Sequence, residues 1–424
     1  MSVPVVLFAC FTVCLLIGIP ISFSVGIACL AALYVSDAPM TMLAQVAFSG
    51  NDGFAYLAVP MFILAGILME RGGLSPKIIR MATTLIGPRT GSLAIVTIAG
   101  CMFFGAMCGS GPATVAAMGA IMIPAMVRDG YSRPFAGAVS ACGGGLGVLI
   151  PPSIPLIVYG ITVNASITDL FLASIVPGAL VALAMMITVY LISRKNGWKG
   201  DPDTEHGLRP FLASLKDGVW AILAPVIILG GIYGGVFTPT EAGGVAVVYS
   251  IIVAMFLYRA IKVSQLCDII VDAAVISAVV MIILGLSVAF GRIMTQYRIP
   301  QLIASAILDY STNKIVILLL MDGLLLFLGT FMETGPIIII FGPLLLPLCQ
   351  SIGLDAIYLG VLICLATEIG FMTPPLGQNL FVAQKIGNLS LGEIFKPCIP
   401  LLLAQTAVLV LLNVFPALGT LFVR

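Results

Sequence analysis

Cys108-Gly109-Ser110-Gly111-Pro112-Ala113-Thr114 separates two apolar runs, and Met332-Glu333-Thr334-Gly335-Pro336 separates two more. Proline removes a backbone donor and glycine tolerates a left-handed turn, so each junction ends one helix and opens another. A second break follows each junction. These breaks are Gly147-Val148-Leu149-Ile150-Pro151-Pro152-Ser153 and Gly370-Phe371-Met372-Thr373-Pro374-Pro375. The two sets are copies. Pro76 pairs with Pro300 and Gly111-Pro112 with Gly335-Pro336 at one offset. After a slip of one residue, Pro124 pairs with Pro347, Gly130 with Gly353, Gly137 with Gly360, Gly147 with Gly370 and Pro151-Pro152 with Pro374-Pro375. Asn164/Asn388, Ser166/Ser390, Asp169/Glu393 and Phe171/Phe395 return to the first offset. In a membrane protein, two copies of one interrupted-helix unit point to a central transport site.

Composition places the chain in a bilayer. Of 424 residues, 60% are apolar and only 9% charged, and apolar runs of spanning length recur throughout. A net charge of +1 gives no electrostatic footprint for nucleic acid. The start, Met1-Ser2-Val3-Pro4, lacks a basic n-region, so no signal peptide is expected. The ten cysteines are scattered without metal-ligand spacing and read as small buried apolar residues.

The expected fold is an all-α polytopic membrane protein. Residues 1–73 and 217–297 read as scaffold helices, and 74–88 and 298–312 as amphipathic arm helices lying in the interface. Residues 89–193 and 313–424 each read as a hairpin plus a broken helix, and 194–216 as a polar cytoplasmic loop between the halves. When the hairpin limbs return to the side they entered, all but Arg292, Arg298, Lys314 and Arg424 of the 19 Lys and Arg face one side. That side is cytoplasmic. Five crossings then separate the arms, which inverts the second copy relative to the first. Each half has five transmembrane helices plus one re-entrant hairpin, and both termini lie outside.

Unwound backbone at membrane depth needs protein or a polar cavity around it, because lipid cannot satisfy its N–H and C=O groups. Pairing each tip with its nearby break gives two clusters of free carbonyls, hydroxyls and half-helix ends. Such oxygens suit Na⁺, and half-helix N-termini suit a substrate carboxylate. The expected sodium ligands are Gly109, Ser110, Gly147, Val148 and Pro151 in one cluster, and Thr330, Glu333, Thr334, Met372 and Thr373 in the other. The expected substrate contacts are Ser110, Thr114, Ser153, Thr334, Gln378 and Asn379. Neutral oxygens outnumber carboxylates in both, which favours Na⁺ over H⁺; no other cofactor and no transition metal is expected.

Asp322, Glu333 and Glu368 lie in or beside apolar segments, where an ionisable side chain is functional by default. Glu333, at a tip, is the leading candidate for coupling; inter-helix hydrogen bonding is the alternative for the other two. Thr238-Pro239-Thr240-Glu241, Ser166 with Asp169 and Ser390 with Glu393 read as helix-capping boxes. His206, the single histidine, belongs to the polar loop. An intramembrane serine protease would need a base in the membrane, and the only histidine lies outside it. No G-x-x-x-x-G-K-[ST] string is present, so hydrolysis of ATP through a P-loop is excluded.

Five strings carry a family resemblance: GVFTPTEAGGVAVVY (235–249), GSGPATVAAMG (109–119), GVLIPPSIPLIVYG (147–160), FMETGPIIII (331–340) and GFMTPPLGQNLFVA (370–383). They resemble the large membrane subunit of tripartite ATP-independent periplasmic (TRAP) transporters, nearly end to end. The resemblance implies Na⁺-coupled uptake of an organic acid across the bacterial inner membrane by an elevator motion. It also implies two partners, a small four-helix membrane subunit and a periplasmic substrate-binding protein. Some relatives carry an Asp just after the first tip; GSGPATVAAMG has none, so a role served by that Asp does not carry over. Sialic acid and a C4-dicarboxylate are both admissible substrates, with a lean to the sugar acid. A channel, or a self-sufficient ion-coupled carboxylate carrier or Na⁺/H⁺ antiporter of the same architecture, is the alternative reading; such a carrier would work without a binding protein.

Overall fold

The computed structural model describes residues 2–200, 205–311, 313–374 and 377–423. Pro375 of the second break, residues 201–204 of the polar loop, Thr312 at the end of the second arm and Arg424 lie outside the described residues. The described chain is helical. In order the helices are α1 (Val3–Leu16), α2 (Ile21–Val35), α3 (Thr41–Ser49), α4 (Ala58–Arg71), α5 (Leu74–Ile86), α6 (Ser92–Cys108) and α7 (Gly111–Arg128). Next come α8 (Arg133–Gly144), α9 (Leu146–Leu149), α10 (Ile154–Val163), α11 (Ile167–Asn196), α12 (Leu208–Tyr233) and α13 (Pro239–Ile251). The remainder are α14 (Val263–Gln296), α15 (Ile299–Tyr310), α16 (Lys314–Gly329), α17 (Thr334–Ser351), α18 (Ala356–Phe371), α19 (Gln378–Gly387) and α20 (Leu391–Val414). Nine helical stretches among the described residues are long and apolar enough to cross a membrane.

The order arm, hairpin, broken helix, long helix occurs twice, as α5 to α11 and as α15 to α20. The packing between the two sets is reciprocal. Helix α10 lies on α17 and α19 on α7; α11 lies on α18 and α20 on α8; and α11 meets α20. Such exchange of partners is what a two-fold relation between similar units produces. Helices α2, α3, α4, α13 and α14 pack among themselves, and the arms bridge the two groups: α5 touches α12 and α6, while α15 touches α14 and α17.

Close backbone approach at four glycines holds each hairpin to its own broken helix. A Cβ on Gly105 would stand 2.4 Å from the Gly147 Cα, and one on Gly370 would stand 2.4 Å from the Leu326 carbonyl and 2.8 Å from the Gly329 Cα. Gly105 and Gly329 occupy the same place in the repeat, as do Gly147 and Gly370, so both halves use one crossing. A third approach ties α4 to the first tip, where a Cβ on Gly66 would lie 3.0 Å from the Cys108 Cα.

Several boundaries differ from the sequence expectation. Helix α3, which packs on α14, lies within the expected scaffold stretch but at nine residues is too short to span the bilayer. The expected loop 194–216 is invaded from both ends, since α11 continues to Asn196 and α12 starts at Leu208. Just beyond the loop, Asp217 of α12 pairs with Lys77 at 3.9 Å and Arg80 at 3.6 Å on the arm. Ser390 and Glu393 form the full reciprocal capping box, as do Thr238 and Glu241. At the first copy only the Ser166 hydroxyl caps, accepting from the Asp169 N–H. The aspartate side chain is one methylene shorter than glutamate, which accounts for the missing return bond.

Adding a methyl at Gly147 or Gly370 forces backbone apart, so Gly147→Ala and Gly370→Ala are each expected to destabilise by about 1–3 kcal/mol. Gly323→Ala, which meets nothing within 4 Å, should leave stability unchanged. Thermal unfolding of the detergent-solubilised variants checks this.

Candidate functional site

The first tip turns on a left-handed glycine. Gly109 caps α6 with φ 63°, Ser110 is extended, and Pro112 sits in the first turn of α7. The second tip is built differently. Helix α16 ends through Thr330, and the chain turns over Phe331–Glu333, so Gly335-Pro336 lies inside the first turn of α17. The first break runs from Ile150 to Ser153, both extended, between α9 and α10. At the second break the Thr373 N–H bonds the Gly370 carbonyl at 2.8 Å, and Gly377, with φ 44°, opens α19.

Both tips reach one cavity of about 150 Å³. Its walls come from α4 and α14 on one side. Opposite them stand Cys108–Ala113 of the first tip, Glu333–Pro336 of the second, Val148 and Ile154 of the first break, and Glu368 with Phe371 of α18. Among the expected site residues, Gly109, Ser110, Val148, Glu333 and Thr334 line it. Gly147, Pro151, Thr330, Met372, Thr373, Thr114, Ser153, Gln378 and Asn379 do not.

Most of those nine are engaged elsewhere. Ser153 is buried, donates to the Val148 carbonyl and accepts from the Leu156 N–H at 3.4 Å, so it caps α10. Thr114 donates to the Ser110 carbonyl at 2.7 Å and stands 3.2 Å from the Cys108 Sγ. Thr330 and Thr373 bond back to the Phe327 and Ile369 carbonyls of their own helices. Gly147 is the packing glycine described above. Gln378 is exposed, whereas Asn379 is fully buried beside the cavity wall.

The charged residues lining the cavity are Glu70, Glu333 and Glu368. Glu368 is 3% exposed; its Oε1 accepts from the Thr334 hydroxyl at 3.3 Å, and the Thr367 hydroxyl stands 3.2 Å from that of Thr334. Sequence reading missed Glu70, because it ends α4 beside Arg71 and looks like part of a solvated helix end. Only folding carries α4 to the tips, with Gly66 on the same helix pressed against Cys108. Asp322 plays a different part: Asn413 of α20 donates to its Oδ2, and Asn413 accepts from the Tyr358 hydroxyl at 3.0 Å. This cluster joins α16, α18 and α20 away from the cavity. The hydrogen-bonding alternative for Asp322 therefore has direct structural support.

Interrupted helices from two repeats meeting at one cavity are the architecture of a membrane transporter. The chain belongs to the family described as "Tripartite ATP-independent periplasmic transporter, DctM component", whose model matches residues 8–418. It is 43% identical over 98% of its length to an isethionate TRAP transporter permease protein, DctMQ, of Oleidesulfovibrio alaskensis, and spans 66% of that relative. It is 37% identical to the C4-dicarboxylate TRAP transporter large permease protein DctM of Pseudomonas aeruginosa, covering 92% of this chain and 91% of that one. It is also 37% identical to the sialic acid TRAP transporter large permease protein SiaM of Vibrio cholerae, covering 94% and 93%. The fold is similar to that of the Alcanivorax borkumensis YdaH transporter, with a TM-score of 0.66 at 16% identity over 98% of this chain and 99% of that one. The relatives are named as permeases.

Because the Ser153 hydroxyl is spent on capping, Ser153→Ala should cost about 1 kcal/mol of stability and leave the concentration dependence of uptake unchanged. Thermal unfolding and an uptake titration on the same preparation separate these two effects.

Proposed function

We propose that this chain is the substrate-translocating subunit of a binding-protein-dependent, Na⁺-coupled uptake system for a small organic acid in the bacterial inner membrane. The observation that carries the reading is the cavity where both tips meet α4 and α14, lined by Glu70, Glu333 and Glu368 with no basic side chain. An organic anion entering that field is repelled unless cations enter with it. Neutral oxygens at the tips, including the Ser110 and Thr334 hydroxyls, supply the ligands that a small hard cation needs. This is the physical reason to couple uptake to sodium. Cavity-lining Gly109, Ser110, Val148, Glu333 and Thr334 are the cation ligands we favour from the wider expected set.

The reciprocal packing of the two repeats supports an inverted pair, with the tips on opposite sides of a central site. An elevator motion follows naturally from this division. Helices α4 and α14 would stay with the scaffold at residues 1–73 and 217–297, while the hairpins and broken helices travel and the arms α5 and α15 flex. The relatives' names speak of sialic acid, C4-dicarboxylate and isethionate. A cavity of about 150 Å³ matches the interior volume known to hold a benzene-sized guest. That supports an acid of a few carbons, carboxylate or sulfonate, beside the sugar acid toward which the sequence leans. A periplasmic binding protein would deliver it, and a small membrane subunit would flank the scaffold.

Uptake into liposomes containing the chain with its partner subunit and binding protein should run on a sodium gradient. Uptake driven by a proton gradient without sodium would overturn the coupling, and full-rate uptake by this chain alone would overturn the partner requirement. Ser110→Ala and Thr334→Ala each remove one oxygen, and loss of a hydrogen bond to a charged group is worth about 1.5–3 kcal/mol. Sodium affinity should fall by about ten- to a hundred-fold in both; unchanged sodium curves for both would remove these hydroxyls from the site.

A further inference from the structure

The connector that follows α11 folds back onto the start of the first hairpin. Thr90 and Lys199 form an antiparallel bridge, the Gly200 N–H donates to the Arg89 carbonyl at 3.1 Å, and the Gly91 N–H donates to the Trp198 carbonyl at 3.1 Å. Two glycines admit this contact. A Cβ on Gly200 would stand 2.4 Å from the Ser92 Oγ, and one on Gly91 would stand 3.1 Å from the Ser193 Oγ of α11. Trp198 then packs on the turn between α7 and α8, with ring centroids 5.1 Å from Tyr131 and 4.9 Å from Phe135.

The meeting of these segments gathers cations. Arg89, Arg194, Lys195 and Lys199 are brought to one junction, and Arg128 and Arg133 flank the α7–α8 turn; all six are exposed. Residues 89–92, 128–133 and 194–203 together carry these six basic side chains against three acids. Among the described residues none of the six forms an ion pair, whereas Lys77 and Arg80 of the arm pair with Asp217, and Arg71 pairs with Asp272. Like charges held this close repel until a counter-charge arrives.

From that junction α11 runs into the membrane behind an apolar row. Leu183, Ile187 and Leu191 recur every four residues on one face, each more than half exposed, and Lys195 continues the row. An apolar row that ends in cations beside a tryptophan matches a phospholipid, with its acyl chain on the row and its phosphate at the basic end. A soluble phosphate would make no use of the row. The small membrane subunit would flank the scaffold, and this face belongs to the hairpin and broken helix of the first repeat.

We propose that Arg89, Arg194, Lys195 and Lys199 bind the phosphate of an anionic phospholipid whose acyl chain lies along Leu183, Ile187 and Leu191. The phosphate replaces repulsion among four cations with attraction, and so fastens the start of α6 to the end of α11. A zwitterionic headgroup serves poorly, because its own cation meets the same field.

The test is native mass spectrometry of the purified chain in detergent, with phosphatidylglycerol or phosphatidylcholine of identical acyl chains added. The wild type should retain phosphatidylglycerol about tenfold more tightly or better, since each basic side chain near a headgroup strengthens anionic-lipid binding. Combining Arg194→Gln, Lys195→Gln and Lys199→Gln should abolish that preference. Arg259→Gln with Lys262→Gln, exposed cations just before α14, should leave it intact. Equal retention of both lipids by the wild type would overturn the site, as would an undiminished preference in the triple variant. An equal loss in the Arg259/Lys262 control would mark a general charge effect and also overturn it. Displacement of the lipid by inorganic phosphate would make this a soluble-anion site, and displacement by the small membrane subunit would give the face to that partner; either rejects the proposal. Where the triple variant does not fold, the wild-type melting temperature in nanodiscs decides. Phosphatidylglycerol should raise it above its value in phosphatidylcholine at low salt, and the advantage should vanish at about 1 M salt. No difference between the lipids at low salt would sink the proposal.

Discussion

A helix interrupted inside a bilayer must satisfy its broken hydrogen bonds within the protein, because hydrocarbon offers no partners. That constraint governs this structure. It forces each hairpin tip against a neighbouring break, and contact that close is possible only where side chains are absent. Gly105 on Gly147 and Gly329 on Gly370 meet that requirement in the same way in both halves. The extended residues between α9 and α10 are sheltered behind the first tip, with the Ile154 N–H directed at the Gly109 carbonyl at 3.4 Å. Remove the glycines and the breaks would be left exposed to one another's steric bulk.

The same closeness concentrates charge. Glutamates from α4, the second tip and α18 reach one cavity, and no basic side chain answers them there. In soluble proteins such an arrangement would be relieved by solvent; here the walls are apolar helices. The surroundings therefore favour any process that brings positive charge in.

Hydroxyls that look alike in sequence divide sharply once folded. Ser153, Thr114, Thr330 and Thr373 all sit at helix ends, where a hydroxyl can close a local bond, and each does so. Thr334 is also at a helix start but directs its hydroxyl to Glu368. Position relative to a break was therefore a fair guide to where a site lies and a poor guide to which residue serves it. Asn379 shows the reverse: its neighbour Gln378 looks equivalent in sequence, yet one is fully buried and the other exposed.

The sequence alone determined the lipid-solvated class, the positions of both arms, both tips and both breaks, and the duplication that relates them. Those features follow from local chemistry: apolar run length, the missing N–H of proline and the left-handed tolerance of glycine, each readable without knowing any neighbour. The sequence read Ser166 with Asp169 as a capping box like its counterpart, and the structure keeps only the serine half. Only the tertiary structure decided that Glu70 belongs with Glu333 and Glu368, that Gly66 presses on Cys108, and that Gly111, Gly144 and Gly145 lie against Glu368 and Asn379. All but the Gly66–Cys108 contact join residues from opposite halves of the chain. Their physical basis is the docking of one repeat against the other, which leaves no periodic mark on either segment.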